Sequence, residues 1–297
     1  DAAEGGSLDG PSHAMPMRRL LLPAAAAQLA LGAWAWQDAR AGPGNGSASA
    51  AGPSQVAAAA VPPFGSIRSL QWNPNWHCFT EDACSRGVQQ ALTAQLQAGL
   101  DFANVVCLKA YPYFRTPPGW SFLHSRCGRS ETTLLYNVAS WTPSGDVRLG
   151  CLVPDDAPFI VQPFSSGALG IKLIAVGAYF GSTDDWSELR NAIAAVTTSE
   201  GTGNVLLAMD VKTDMSAGLL ASRLGLGGGP APLATELLRT CCNTDRNSSG
   251  YVYYFDRVMA TFGQAMNTNL LFDPTPGWAA QPGNNFHKAI VGDLYMY

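Results

Sequence analysis

Polar side chains interrupt several apolar stretches of this 297-residue sequence, at points where a chain would leave the interior of a domain. Asn73 follows an alternating stretch, Asp210 ends the run NVLLAM, and Asp256 with Arg257 interrupts YYFDRVMA. His287 opens the last apolar stretch. Amide and carboxylate oxygens suit Mg²⁺, and a carboxylate or an imidazole can move a proton. Gathered on one rim, these residues would form a binding or hydrolytic site, although each alone is typical of a turn.

The elements that must position these residues follow from hydrophobic periodicity. Alternation and short apolar runs predict strands over residues 66–72, 102–108, 132–137, 158–164, 171–180, 204–209, 251–261 and 287–297. Spacings of three and four predict helices over residues 85–99 and 184–196, with short helices near 217–224 and 233–239. Because the order lacks the regular βαβ rhythm of a parallel sheet, we predict two packed sheets with helices outside.

Six motifs in succession resemble those of the endonuclease/exonuclease/phosphatase superfamily, which has the deoxyribonuclease-like fold. They are QWN, NVVCLKA, LIAVGAYF, NVLLAMDVK, YYFDRVMA and NFHKAIVGDL, and they extend over residues 66–297. The resemblance implies an α/β fold, a four-layered α/β/β/α sandwich of two mixed sheets with outer helices. It also implies hydrolysis of phosphate esters with a divalent cation, usually Mg²⁺.

Four residues match functional positions of that family. Asn73 matches an asparagine that contacts the metal or the phosphate, and Asp210 matches an aspartate of the same site. Asp256 matches an aspartate that orients its neighbours, and His287 matches the terminal histidine that acts on water and phosphate. The resemblance therefore implies a catalytic role for Asp210, Asp256 and His287, and a metal contact for Asn73 and Asp210.

Other positions depart from the family pattern. Ala110 replaces the glutamate that binds the metal, Tyr179 replaces a histidine, and Met209 replaces a glycine. Lys212 replaces an asparagine, and Phe286 replaces the acidic residue before the terminal histidine. Neither alanine nor phenylalanine can bind a cation or accept a proton. Losing a metal carboxylate and a base together should remove most of the stabilisation of a phosphoryl-transfer transition state.

Lys212 lies two residues beyond Asp210, so their side chains share a face on an extended chain. Either its ammonium pairs with Asp210 in place of the cation, or Lys212 is a solvated loop residue. In both cases its charge opposes Mg²⁺ binding. Three acidic pairs in loops could supply a substitute carboxylate: Glu81–Asp82, Asp155–Asp156 and Asp184–Asp185.

The N-terminal part predicts export from the cytoplasm. Residues 1–41 combine upstream sequence with a signal peptide, in which Ala39-Arg40-Ala41 offers small residues for a signal peptidase. An uncleaved membrane anchor is the alternative. Residues 42–65 have the composition of a Gly/Ala/Pro-rich linker, and residues 66–297 form the domain. We expect a secreted protein without a membrane span in its mature chain.

Seven cysteines also suit an oxidising compartment. Two pairs are candidates for disulfides: Cys78 with Cys84, and Cys127 with Cys151. Of the adjacent Cys241 and Cys242, we expect at most one to pair, with a distant partner, and Cys107 to be a buried thiol. The spacing of cysteines and histidines does not match a zinc site. Asn45 and Asn247 begin N-x-S sequons, which would make the secreted chain a glycoprotein.

The net charge of −4 is too mild to predict broad attraction to nucleic acid or to an anionic membrane. Three tryptophans on loops are candidates for stacking on a ligand at the site: Trp120, Trp141 and Trp278. These side chains could give the site an aromatic surface for ligand recognition.

Three functions are compatible with these features. The favoured one is a secreted domain that has lost hydrolase activity and binds a phosphate ester, a glycan or a protein, without a cofactor. The second is an active phosphodiesterase or nuclease with a rearranged site and Mg²⁺ or another divalent cation. The third is a disulfide-stabilised extracellular interaction domain, unrelated to the family. That third function predicts that Asn73, Asp210, Asp256 and His287 do not converge.

Overall fold

Two β-sheets face each other in this computed structural model, and helices cover their outer faces. The structure describes residues 64–75, 78, 82–108, 114–153, 157–181, 185–242, 251–273, 275–279 and 286–297. All of them belong to one unit, Ala58–Tyr297. The predicted signal peptide, almost all of the predicted linker and both predicted glycosylation sites lie outside the described residues.

The chain forms thirteen strands and three helices within the described ranges. In chain order they are β1 (Gly65–Trp72), α1 (Asp82–Gln97), β2 (Phe102–Val106), β3 (Trp120–Cys127), β4 (Ser130–Asn137), β5 (Thr142–Pro143), β6 (Arg148–Leu152), β7 (Ala157–Ser166), β8 (Ile171–Tyr179), α2 (Ser187–Glu200), β9 (Val205–Asp210), α3 (Ala217–Arg223), β10 (Leu233–Ala234), β11 (Asp256–Ala260), β12 (Ala265–Leu270) and β13 (Ile290–Met296). No helix in this part of the chain is long and apolar enough to cross a membrane.

Both sheets mix parallel and antiparallel pairs. The first sheet has the order β12-β13-β1-β2-β4-β3, with β1 and β2 parallel. The second has the order β10-β11-β9-β8-β7-β5, with β6 also paired to β7 and with β8 and β9 parallel. Each parallel pair brings the ends of two strands to the same edge of its sheet. The loops that follow these strands can therefore contribute to one site.

Three apolar clusters make the four-layered α/β/β/α sandwich that the sequence predicts. Helix α1 packs on the outer face of the first sheet through Val88, Leu92 and Leu96. Helix α2 covers the outer face of the second sheet together with α3. Between the sheets, aromatic residues such as Phe102 and Phe164 contact at ring-centroid distances near 5.2 Å. Burial of these three interfaces provides the main driving force for folding.

Alternation along the strands decides which polar residues enter the interior. Leu70 and Trp72 of β1 pack toward α1, so Gln71 and Asn73 face the second sheet. The same parity in β9 directs Met209 toward the α2 layer and Asp210 toward the first sheet. Polar side chains are thereby concentrated at one end of the space between the sheets.

The predicted helix at residues 233–239 is wrong. Leu233–Ala234 forms the edge strand β10, antiparallel to β11, and Thr235 N donates to Val258 O at 2.9 Å. The backbone there bonds to the sheet and not to a helical turn. Strands β3 and β12 were not predicted, because both are only partly buried and their alternation of burial does not coincide with an apolar alternation in the sequence.

The disulfides match the two predicted pairs, Cys78–Cys84 and Cys127–Cys151. A third disulfide joins Cys241 to Cys242, so the expectation of a single, distant partner is wrong. The prediction of a buried thiol at Cys107 is also wrong, because this residue is only half-buried. It turns the chain at the end of β2 with a positive φ of 60°.

The two sheets are in close contact beside Gly177 of β8. A Cβ atom at this position of β8 would overlap Asn104 Oδ1 and lie 2.9 Å from Asn104 Cγ. Asn104 itself is fully buried and donates to Gln71 Oε1 at 2.7 Å and to Ala208 O at 3.0 Å. These bonds hold the amide in place, so it cannot yield to a new methyl group.

We therefore expect Gly177→Ala to lower the free energy of unfolding by about 2 kcal/mol, through overpacking and loss of the Asn104 hydrogen bonds. Chemical denaturation followed by circular dichroism measures this loss. Gly167→Ala is the matched control, since a Cβ there meets no atom within 4 Å, and its effect should stay within about 0.5 kcal/mol. Equal stability of the two variants would contradict the close approach.

Candidate functional site

Three neighbouring strands of the second sheet carry polar residues in one row. The register pairs Tyr179 of β8 with Asp210 of β9, and Asp210 with Asp256 of β11. Asn73 follows β1 of the facing sheet, and His287 precedes β13, which pairs with β1. The four family-matching residues therefore converge at one end of the space between the sheets. The hypothesis of an unrelated interaction domain predicts that these residues do not converge, and that prediction is wrong.

Asp210 is a fully buried carboxylate of this site. Its Oδ2 accepts from Asn73 Nδ2 at 2.6 Å and from Lys212 Nζ at 3.1 Å. Its Oδ1 is buried without a hydrogen-bond partner. Burial favours the neutral acid, but the charges of Lys212 and His287 and the two hydrogen bonds outweigh burial and hold the pKa of Asp210 below its usual value.

Lys212 forms the ion pair that its spacing from Asp210 predicts, so the solvated-lysine alternative is wrong. Three-quarters of its side chain is buried, and its Nζ lies 5.3 Å from the ring centroid of Tyr179 and 4.9 Å from that of Phe255. Burial lowers the pKa of Lys212, but Asp210 and other nearby acidic groups raise it by a larger amount. The pKa of Lys212 is therefore above its usual value. Lys212 is therefore a fixed positive charge.

Asp256 and His287 form a second buried pair. His287 Nδ1 lies 2.7 Å from Asp256 Oδ2, and Gln71 Nε2 donates to Asp256 Oδ1 at 3.1 Å. An acceptor-only carboxylate assigns the imidazole proton to Nδ1 and leaves Nε2 as an acceptor. His287 Nε2 lies 3.6 Å from Cys242 Sγ. Asp256 thus orients its neighbour, as the family match implies.

Buried amides and a hydroxyl extend this pair into the interior. Asn104 Nδ2 donates to Gln71 Oε1 at 2.7 Å, and Thr132 Oγ1 donates to Asn104 Oδ1 at 2.8 Å. The sequence analysis did not identify these three residues. The available signal was a polar side chain at an inward position of an apolar strand, as in Asn104 within FANVV.

Solved structures share this arrangement of sheets and helices. An endonuclease/exonuclease/phosphatase family protein from Bacteroides thetaiotaomicron superposes with a TM-score of 0.57 at 11% identity, over 80% of this chain and 100% of that chain. D. rerio TDP2 in complex with a single-strand DNA product gives 0.53 at 14% identity, over 77% and 98%. The chain has the endonuclease/exonuclease/phosphatase fold.

A mannosyl-6-phosphatase from Bacteroides thetaiotaomicron is a third structure with this fold, with a TM-score of 0.53 at 10% identity, over 77% of this chain and 100% of that chain. No family model and no curated protein sequence matches the chain. The similarity is therefore one of fold, and the residues of the site must carry the functional argument.

Phe286 stands where the family resemblance places an acidic residue. Its side chain is packed among apolar rings. Its side chain is 1% exposed, and its ring centroid lies 6.0 Å from that of Trp72 and 5.6 Å from that of Trp278. A carboxylate introduced there would be buried without a partner. Ala110, which the family resemblance places at the position of the metal-binding glutamate, lies outside the described residues.

The proposed substitute carboxylates do not supply a further described ligand. Glu81, the Asp155–Asp156 pair and Asp184 lie outside the described residues, as does the side chain of Asp82. Asp185 Oδ1 accepts from Ser187 N at 2.9 Å, at the start of α2. This bond forms a local Asx turn that precedes the helix.

The three tryptophans do not form an aromatic surface at the site. Trp120 pairs with Asn137, at the end of the first sheet remote from Asn73. Trp141 is buried at the same remote end, where its Nε1 donates to Asp101 Oδ1 at 2.8 Å. Trp278 packs against Phe286 within the apolar layer. The prediction of tryptophan stacking on a ligand is therefore wrong for Trp120 and Trp141.

Two groups of described side chains have the composition of metal ligands. One group is Asp210, Asp256 and His287, and the other is Cys241, Cys242 and His287. In the first group, Asp256 uses both oxygens for Gln71 and His287, and Asp210 Oδ2 receives Asn73 and Lys212. Only Asp210 Oδ1 is uncommitted. Because Mg²⁺ usually takes one or two carboxylate ligands and completes its octahedron with water, the first group offers it one free oxygen, next to the Lys212 ammonium.

The ion pair predicts a loss of stability in Lys212→Met. Removing one partner of a fully buried pair costs about 3–5 kcal/mol. Because a quarter of the Lys212 side chain is exposed, we expect about 2 kcal/mol near neutral pH. Urea denaturation measures this difference. Lys172→Met is the control, because Lys172 is 55% exposed and lies 3.7 Å from Glu200; its effect should stay below about 0.5 kcal/mol.

The pH dependence of this loss is a separate prediction. In the unaltered protein the folded-state pKa of Asp210 is depressed, so its contribution is present at neutral pH and falls as pH drops through that pKa. Without the ammonium, burial raises the folded-state pKa, and the variant gains stability as pH falls through it. The stability difference should therefore shrink between about pH 7 and about pH 4. A constant difference would contradict the charge interaction.

Proposed function

We propose that this chain is a non-hydrolysing binding domain with the endonuclease/exonuclease/phosphatase fold, and that its ligand is a phosphate ester. The observation that carries this proposal is the Lys212 ammonium 3.1 Å from Asp210 Oδ2. In this proposal the ammonium takes the place of the catalytic cation. The domain then needs no cofactor.

The electrostatics of the pair support this replacement. Lys212 neutralises Asp210 and is itself held in the charged state by Asp210. A divalent cation would have to approach an ammonium that is fixed next to Asp210, whose Oδ1 is the oxygen without a hydrogen-bond partner. The repulsion acts in a partly buried site, where screening by solvent is weak. The packed ring of Phe286 supports the same proposal, because it excludes a second acid.

A phosphate ester is the ligand that the rim of this site favours. An ammonium has three donors, and Asp210 receives only one of those of Lys212. Phe255 borders the ammonium and stacks on Tyr253 with a centroid distance of 4.9 Å and an interplanar angle of 6°. Tyr253 is 45% exposed, so its ring offers a face for a base or a sugar next to a phosphate.

The structural relatives give independent support for this ligand class. Their names describe a complex with single-strand DNA product and a mannosyl-6-phosphatase, and the human Nocturnin catalytic domain, with a TM-score of 0.51 at 10% identity, carries a bound sulfate anion. All three involve phosphate groups or a similar tetrahedral anion. The signal peptide and sequons of the sequence add the proposal that the domain acts outside the cell as a glycoprotein.

The second candidate is an active metal-dependent phosphodiesterase with a rearranged site. The intact pair of His287 and Asp256, at 2.7 Å, and the unpartnered Asp210 Oδ1 favour it. This candidate requires Mg²⁺ or another divalent cation and a further ligand from outside the described residues. A protein ligand in place of a phosphate ester is the alternative for the binding function.

Calorimetry with phenyl phosphate and a hydrolysis assay with bis(4-nitrophenyl) phosphate separate these candidates. We expect saturable binding of phenyl phosphate and no hydrolysis above the buffer rate with Mg²⁺ or Mn²⁺. Lys212→Met should weaken phenyl phosphate binding at least about tenfold, because it removes a charged donor. Lys172→Met, which removes the same charge at the start of β8, should leave binding unchanged.

Metal-dependent hydrolysis that is abolished in His287→Ala would overturn the proposal in favour of the second candidate. Phenyl phosphate binding that survives in a folded Lys212→Met protein would overturn the role of the ammonium. Circular dichroism before each titration confirms that the variant is folded. In the proposed function, Lys212→Asn combined with Ala110→Glu should gain Mn²⁺ binding that the unaltered protein lacks.

A further inference from the structure

A vicinal cysteine pair lies against the candidate site from the side opposite the Asp256 contact of His287. The Sγ atoms of Cys241 and Cys242 and a ring nitrogen of His287 all lie within 4.8 Å of one another, and all three residues are buried. His287 Nε2 is 3.6 Å from Cys242 Sγ. The proposed phosphate-ester function uses neither sulfur.

The nitrogen-to-sulfur distance matches the edge of a tetrahedral metal site. Zinc binds sulfur at about 2.3 Å and imidazole nitrogen at about 2.0–2.1 Å, so tetrahedral angles separate these two atoms by about 3.5 Å. The distance between Cys242 Sγ and His287 Nε2 is 3.6 Å. One cation could therefore contact both atoms without movement of either side chain.

The surroundings of His287 are those of a metal-binding imidazole. Its Nδ1 bonds to Asp256 Oδ2 at 2.7 Å, so Nε2 is directed at the sulfur with its lone pair available. A carboxylate on the far nitrogen is the usual outer partner of a histidine ligand, because it fixes the tautomer and strengthens the donor. Gln71 in turn holds Asp256 through a bond of 3.1 Å.

The backbone fixes the cysteine pair at this position. Cys241 forms an isolated antiparallel bridge with Tyr253, and Tyr253 N donates to Cys241 O at 2.6 Å. Thr240 O accepts from Lys288 N at 2.9 Å, which connects the segment before the cysteines to the residue after His287. Asp256 N donates to Thr240 Oγ1 at 3.1 Å. Ligands from two distant segments are thus held together before any metal binds.

We propose that reduction of the Cys241–Cys242 disulfide creates a site for Zn²⁺ or a similar thiophilic cation, with Cys241, Cys242 and His287 as ligands. A dithiol reductant supplies two electrons and two protons to the two sulfurs and becomes a disulfide itself. The cation then binds the two thiolates with release of the two protons, and water completes the fourth position. With the disulfide closed, the sulfurs are bonded to each other and the site does not form.

Cobalt titration of the full chain tests this site, because thiolate ligands give Co²⁺ an intense near-ultraviolet charge-transfer absorption. The chain is first reduced with a dithiol, which is removed before the titration under anaerobic conditions. We expect one equivalent of Co²⁺ with absorption from two thiolates in a tetrahedral site, and its displacement by Zn²⁺. The oxidised chain should bind no Co²⁺ in this mode, which provides a control without any substitution.

Variants assign the absorption to individual ligands. Cys241→Ser combined with Cys242→Ser should abolish it, whereas Cys127→Ser combined with Cys151→Ser should preserve it. His287→Ala should weaken Co²⁺ binding and change the visible d–d spectrum. Asp256→Asn keeps all three ligands but weakens the outer hydrogen bond, so we expect a 10- to 100-fold loss of affinity, roughly the effect of losing such a partner in other metal sites.

Absorption that survives in the Cys241/Cys242 double variant would overturn the proposal, since other thiols would then hold the ion. Equal Co²⁺ binding by the oxidised and reduced chains would overturn it as well, as would a reduced, folded chain that binds no Co²⁺. These results are independent of phenyl phosphate binding, which does not require the reduced cysteines. Failure of this site therefore leaves the phosphate-ester proposal intact, and the reverse is also true.

Discussion

Burial of the Asp210 carboxylate is the constraint on which this end of the molecule depends. A carboxylate without solvent is costly unless charges and donors surround it, and Lys212, Asn73 and His287 supply them. Asn73 comes from one sheet and Lys212 from the other, so the compensation also joins the two sheets. The same compensation consumes the charge that a divalent cation would need. One interaction thus stabilises the fold and supports the proposed non-hydrolysing function.

A chain of buried hydrogen bonds connects this site to the interior between the sheets. It runs from Thr132 through Asn104 and Gln71 to Asp256, and it ends on the imidazole of His287. Each polar group in it satisfies the next, which is what a buried network requires. The absence of a side chain at Gly177 gives Asn104 its space. The orientation of His287 therefore depends on contacts between the two sheets as far away as Asn104 and Gly177.

His287 connects two kinds of chemistry through its two ring nitrogens. Nδ1 belongs to the charged group with Asp256 and Asp210, at 2.7 Å and 3.9 Å from their carboxylate oxygens. Nε2 faces the sulfur of Cys242. The proposed metal site would use this second nitrogen, while Asp256 holds the ring through the first.

The sequence by itself determined the alternation of strands, and with it the shared face of Lys212 and Asp210, whereas the structure decided that these two side chains pair. Periodicity and two-residue spacing are local properties, which a sequence states directly. It also identified the Cys78–Cys84 and Cys127–Cys151 disulfides. It predicted a helix where β10 lies, because only the neighbouring strand makes that segment extended. Only the tertiary structure showed that Phe286 is buried and that Asn104 bonds to residues of both sheets. It also showed that Cys242 lies next to His287. Cys242 and His287, for example, are 45 positions apart in the sequence. The packing of one sheet on the other depends on such distant residues, so it cannot be inferred from the periodicity of any single segment.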